Sequence, residues 1–140
     1  MSDNKNSDQF ISEKFLEQIK EDLKIDEFNL IVECRNAINI TQKYLEYYYQ
    51  QKRKLNKLKT YLSKVEGEKF NYFKNEFEIN ITSSQDIQKF INKDGKYLNA
   101  KDAVDEQSAL VEFLEGVVKQ FNGRQWMIKN IIEVKKIENI

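Results

Sequence analysis

The sequence predicts an all-α chain of long, coiled-coil-like helices. Three observations predict it. The 140 residues include no proline and only 4 glycines, too few turn-formers for the many reversals of an all-β fold. Apolar residues recur in steps of three and four over long stretches, which marks one face of a helix. With 33% charged and 40% apolar residues, the composition is that of neither a membrane protein nor a disordered one. The length suits a single domain over residues 9–140. The polar segment 1–8 before it is expected to be a disordered tail.

Taken in order, Ile11, Phe15, Ile19 and Leu23 recur every four residues and give a first helix over roughly 9–24. Asp26 is a candidate N-cap for the next. From Leu30, alternating steps of four and three visit Leu30, Cys34, Ala37, Thr41, Tyr44, Tyr48, Gln51, Leu55, Leu58, Leu62 and Val65. That is a coiled-coil seam of about five heptads. Gly67 is the expected stop. A helix over residues 27–66 is about 60 Å long, whereas a compact globule of this chain length is roughly 37 Å across. The second helix therefore needs partners along its length, and an oligomer or a rod-like subunit is expected.

Residues 68–82 fit two patterns. Phe70, Phe73 and Phe77 suit a helix face, while Phe77, Ile79 and Ile81 alternate as a short β segment near 76–82 would. Ser84 is a candidate cap for a short helix over 85–92, and Lys93-Asp94-Gly95-Lys96 reads as a turn. A last helix over about 102–137 carries Leu110, Phe113, Leu114, Val117, Phe121, Ile128 and Ile131. Gly116 and Gly123 weaken it locally without breaking it. The oligomerisation candidates are Leu55, Leu58, Leu62 and Val65 on the seam, with Leu114, Phe121, Trp126, Ile128 and Ile131 on the last helix. Cys34 is expected to be a small packed residue of the seam and Trp126 a packing anchor.

Composition also excludes chemistry. With no histidine there is no Ser-His-Asp or Cys-His nucleophile and no His-bearing zinc site. Nothing supplies a base near neutral pH, so no catalytic residue is assigned and the chain is not expected to be an enzyme. The acidic pairs Glu21-Asp22 and Asp105-Glu106 lack the glycine-bounded spacing of a calcium loop, and there is no P-loop or GxGxxG. No metal or cofactor is expected. The single cysteine cannot close a disulfide within the chain, which suits a reducing compartment. No apolar run reaches membrane-spanning length, and Met1 to Asp8 form no apolar signal core, so no membrane partner is expected.

The 23 basic and 23 acidic side chains cancel in sum but not in place. Residues 1–35 carry 5 basic and 9 acidic groups, 43–74 carry 9 and 3, 75–118 carry 4 and 9, and 119–140 carry 5 and 2. A partner meets these blocks rather than their sum. On a helix, Arg53, Lys57 and Lys64 fall within about 40° of each other, opposite the seam, with Lys54 and Lys59 flanking it. Aromatic residues concentrate in the same stretch, including Tyr47, Tyr49 and Tyr61 off the seam and the run Phe70-Asn71-Tyr72-Phe73. Cations that track phosphates and rings that stack bases are what a single-stranded nucleic acid requires. A lysine-rich outer face is also what an ordinary solvated helix shows, and the three phenylalanines also suit a core.

The order of these features resembles the UvsY recombination mediator proteins of T-even-like bacteriophages. The resemblance runs from about Phe15 to Ile137. It is carried by Leu16-Glu17-Gln18-Ile19-Lys20, Ile25-Asp26, Leu30, Lys43-Tyr44-Leu45, Lys69-Phe70-Asn71-Tyr72-Phe73 and Arg124-Gln125-Trp126-Met127-Ile128-Lys129-Asn130-Ile131. It implies a ring-forming oligomer, typically a heptamer, that binds single-stranded DNA without catalysis. Such a ring helps a RecA-like recombinase replace the single-stranded DNA-binding protein during phage recombination and repair, in the cytoplasm of the infected bacterial host. The family's DNA-binding motif has two basic residues separated by one position, before a Tyr-Tyr pair. Lys69 matches the second basic position and Tyr72-Phe73 the pair, while Gly67 stands where the first basic residue falls. Lys64, or the stripe at Arg53 and Lys57, is then left to supply that charge. The DNA-binding candidates are Arg53, Lys57, Lys59, Lys64, Lys69, Tyr72, Phe73 and Lys74. A non-catalytic coiled-coil scaffold of a phage particle, or a regulator that binds a partner helix, would share the seam but show no preference for single strands.

Overall fold

A computed structural model describes residues 11–81 and 83–139. The tail expected over residues 1–8 lies outside them. The described residues form four α-helices and one π-helical turn, with no strand among them. The short β segment expected near 76–82 is therefore absent. The alternation of Phe77, Ile79 and Ile81 instead puts Phe77 and Ile81 into a core while Ile79 stays exposed.

Helix α1 spans Glu13–Leu23, and the Ser12 hydroxyl caps it by accepting from the Phe15 amide at 3.1 Å. Its spacing of four turns Phe15, Ile19 and Leu23 to one side. Asp26 does not cap the next helix. Its carboxylate accepts from the Phe28 amide at 3.0 Å and the Asn29 side chain at 3.2 Å, so it fastens the connecting turn.

Helix α2 spans Leu30–Asn71 and runs through Gly67 without interruption. A glycine stops a helix where it turns left-handed, and no glycine here has positive φ. The helix passes into the π-helical turn Tyr72–Glu76. Helix α3 spans Ser84–Ile91, so Ser84 is its first residue and Ser83 precedes it as N-cap, without a side-chain cap bond. Helix α4 spans Gly95–Glu138, beginning well before residue 102. Asp94 explains the early start: its carboxylate accepts from the Tyr97 amide at 3.0 Å, a side-chain cap. The expected turn at 93–96 thus ends as the first turn of a helix.

The chain divides into two compact units, residues 1–50 with 110–140 and residues 51–109. Both long helices contribute to each. In the first unit, Ile19, Tyr44, Val117 and Phe121 form the core, with Phe15, Leu23, Ile40 and Phe113 packed against it. The Tyr44 and Phe121 rings stack with centroids 4.4 Å apart. The Tyr44 hydroxyl donates to Asp22 at 2.7 Å, which satisfies the one polar atom that this packing buries. Arg124 is buried and donates to the carbonyls of Leu23 and Lys24 at 3.2 and 2.8 Å and to the Glu33 carboxylate.

In the second unit, Val65, Phe73, Ile81, Ile87, Ile91, Tyr97 and Ala100 form the core, with Leu62, Phe70 and Phe77 against it. Buried Gln107 donates to the backbone and side-chain oxygens of Gln51 at 2.9 and 3.0 Å. The heptad seam of α2 is thus the side the helix turns to its own chain: Ala37, Tyr44, Leu55 and Val65 are buried along it. Cys34 departs from the pattern and is exposed rather than packed. It lines open grooves with Leu30, Ile38, Ile128 and Ile132.

Replacing Arg124 with alanine leaves Glu33 and two carbonyls without their donor. The expected cost is about 3–5 kcal/mol, read as a lower urea midpoint. Burial first, and the Asp22 acceptor second, push the Tyr44 hydroxyl pKa above its ordinary value. A raised folded-state pKa means stability is fully present below about pH 10 and falls as pH rises beyond it. In Tyr44→Phe, the alkaline loss of stability measured by denaturant titration becomes shallower.

Candidate nucleic-acid interface

The basic block falls on the second unit. Residues 51–109 hold 12 basic and 9 acidic side chains, and half of the basic ones lie on α2 between Lys52 and Lys64. A helix displays every third and fourth residue on one face. Arg53, Lys57 and Lys64 therefore share the outward face, opposite the buried Leu55 and Val65. Arg53, Lys57, Lys59, Lys64 and Lys74 are all exposed, and they form no ion pair among the described residues. Their charge is open to an incoming anion.

An aromatic ring belongs to the same stripe. Tyr61 is 47% exposed and lies four residues after Lys57 and three before Lys64, on their face. The sequence marks it as an off-seam aromatic without placing it among the DNA-binding candidates. Its spacing from the two lysines is the signal that finds it. Gly67, on the same face three residues beyond Lys64, adds no charge. Lys64 thus stands one turn from the position where the resemblance expects a cation.

Lys69, Tyr72 and Phe73 follow at the helix end, and the structure separates them. Phe73 is 8% exposed and belongs to the core, with ring contacts to Phe77 and Phe90 at 5.2 and 5.5 Å. As a base-stacking candidate it is corrected: its ring is occupied by the chain's own interior. Neighbouring residues of a helical turn point in different directions, so burying Phe73 leaves Tyr72 outside, 41% exposed. The Lys69 ammonium lies 5.8 Å from the Tyr72 ring centroid and 3.1 Å from an Asp94 oxygen. Lys69 is thus half-buried and paired, unlike the stripe. The same carboxylate caps α4, so one aspartate joins the end of α2 to the start of α4. Burial opposes the Asp94 charge, but the Tyr97 amide and the Lys69 ammonium outweigh it and hold the carboxyl below its usual range.

The oligomerisation candidates divide as well. Leu55, Val65, Leu114, Phe121 and Ile128 are buried within the chain. They are corrected, because a side chain with almost no exposed area has none to offer a second subunit. Leu58, Leu62 and Ile131 are half-buried. Trp126 is 64% exposed, with the Lys129 ammonium 5.1 Å from its ring, and so is no anchor of the chain's own core. It lies in the first unit, as do exposed Ile31, Ile38, Met127, Val134 and Ile137. Among the described residues no acidic or cysteine cluster could hold a metal ion, and no helix is long and apolar enough to cross a membrane.

Comparison with known proteins gives one family. The profile described as "Recombination, repair and ssDNA binding protein UvsY" matches residues 18–139. No curated protein sequence matches the chain. Among solved structures, the crystal structure of the bacteriophage T4 recombination mediator protein UvsY in lattice type II superposes with a TM-score of 0.82 at 18% identity, covering 93% of this chain and 98% of that one. In lattice type I the TM-score is 0.80 at 19% identity, covering 90% and 99%. At such identity the likeness is one of fold.

Asp94 offers a test of how far site and fold share residues. Asp94→Ala removes the cap as well as the ion pair and is expected to cost about 1–2 kcal/mol in thermal unfolding. Asp94→Asn keeps a capping oxygen and loses only the pair. Because the folded-state pKa is depressed, the stability it contributes is present above about pH 4 and lost as pH falls through the folded value. The asparagine variant flattens that acid limb.

Proposed function

Because the chain belongs to the UvsY family of recombination, repair and single-stranded DNA-binding proteins, we propose that it is a recombination mediator that binds single-stranded DNA along the outward face of α2 in the second unit. Arg53, Lys57 and Lys64 track phosphates along that face, with Lys59 on its flank and Lys74 beyond the helix end, and Tyr61 and Tyr72 stack bases. Lys69 sits beside Tyr72 and exchanges Asp94 for a phosphate at the end of the stripe. The observation that carries this assignment is the exposed, unpaired stripe of cations with a half-exposed tyrosine between them. Phosphate neutralisation supplies affinity without reading sequence, and stacking on tyrosine is tolerant of base identity. Both suit a protein that must act on any strand.

Self-association completes the proposal. The exposed apolar residues of the first unit, Trp126 among them, are what a contact between copies needs. A ring, with seven copies as in the resemblance, repeats the stripe, so several weak sites act on one strand at high effective concentration. A strand held in this way is taken from a competing single-stranded DNA-binding protein and presented to a RecA-like recombinase. The chain itself catalyses no step.

Light scattering followed by titration with single- and double-stranded oligonucleotides tests the proposal. A multimeric mass and a preference for single strands are expected, with log affinity falling linearly against log salt more steeply than one stripe's few contacts allow. A multimer indifferent to single strands is a scaffold instead. Lys57→Ala is expected to weaken binding to all sequences alike and to lower the salt slope by roughly one per affected copy, with no change in mass.

A further inference from the structure

A groove in the second unit extends the same surface. It has a volume of about 390 Å³, within the size range of small-molecule sites. Ile79 and Phe90 line it, with Lys89 and Lys93 on its rim. Phe90 is 37% exposed and Ile79 61%, so the groove presents open apolar surface. It connects to Tyr72 by ring contacts: the Tyr72 and Phe77 centroids are 6.0 Å apart, and those of Phe77 and Phe90 5.4 Å. Lys89 is paired with Asp86 at 3.7 Å, while Lys93 forms no ion pair among the described residues. Glu76 and Glu78, acidic neighbours along the chain, do not line the groove.

We infer that this groove is a second base-stacking subsite, in which a base of a bound single strand lies against Phe90 and Ile79 while Lys93 takes an adjacent phosphate. The inference rests on the strand-binding function proposed above and extends it from α2 onto α3. Charge selects the occupant. An apolar peptide would fill the groove but leave the Lys93 cation unanswered, whereas a nucleotide brings a flat ring and an anion together. Asp86 sits at the same rim, so a phosphate reaching Lys89 must compete with it, and Lys93 is the stronger contact.

The test uses the full chain, a labelled oligothymidylate and an abasic strand of equal length, with anisotropy as the readout. Phe90→Leu keeps an apolar side chain and removes the ring. It is expected to weaken oligothymidylate binding about tenfold and to leave abasic binding unchanged. Phe90→Trp retains the ring and retains affinity, which separates stacking from any loss of packing against Phe73 and Phe77. Lys93→Gln weakens both strands and lowers the salt slope. Equal affinity of Phe90→Leu and wild type for oligothymidylate overturns the subsite. So does an equal loss on both strands, or a change in oligomer mass, which would make the groove a contact between copies. Wild type that binds neither strand overturns strand binding as a whole and is thereby distinct from failure of the subsite alone.

Discussion

The first unit depends on one buried guanidinium. Helix α1 has 11 residues and one buried side chain, Ile19, and a helix so short does not hold its shape alone. Its last carbonyls have no partner within the helix. Arg124, from α4, takes the oxygens of Leu23 and Lys24, and its charge is met by Glu33 in the first turn of α2. Three helices are fastened at one point. The contact needs a planar fork with several donors at fixed angles, which lysine cannot supply. It also tolerates the loss of no single partner, because a buried charge without its counter-ion costs more than the pair contributes.

Much of the fold was legible because helices announce themselves by period. The steps of four in α1 and the heptad seam of α2 lie on the faces that pack, and Tyr44 and Val65 are among the best-buried residues of the chain. What escaped were local events without a period. Gly67 resembles a stop because composition does not distinguish a right-handed glycine from a left-handed one. Asp94 sits in a run that resembles a turn, but an aspartate three residues before Tyr97 serves equally as a cap. The alternation at 77–81 imitates a strand, but a strand needs a neighbour to pair with, and the described chain offers none. Cys34 lies on the face that periodicity marks as inward, and it is exposed, whereas Trp126 points away from the apolar face of Val117, Phe121 and Ile128 and is exposed as its angle requires. Seam and core are therefore not synonyms: a pattern states which face is apolar, not what covers it.

The candidate site follows the same division. The stripe at Arg53, Lys57 and Lys64 could be read from angles alone because it lies in the middle of a regular helix. At the end of that helix the angles change with the π-helical turn, and there the aromatic pair separates into Tyr72 outside and Phe73 inside. Lys69 shows a further limit. Its charge is visible in sequence, but its partner Asp94 is distant along the chain and becomes apparent only when α4 begins beside it. The acidic block 75–118 is thus not simply a counterweight to the basic one, since part of it is spent within the second unit.

The exposure of Trp126 has an optical consequence. It is the only tryptophan in the chain, and it belongs to the first unit, whereas the cationic stripe belongs to the second. Indole emission shifts with the polarity around the ring, and here the ring faces water beneath a lysine ammonium. Its colour therefore reports whether another surface has closed over the ring. Burial of that ring can be followed in an unlabelled sample.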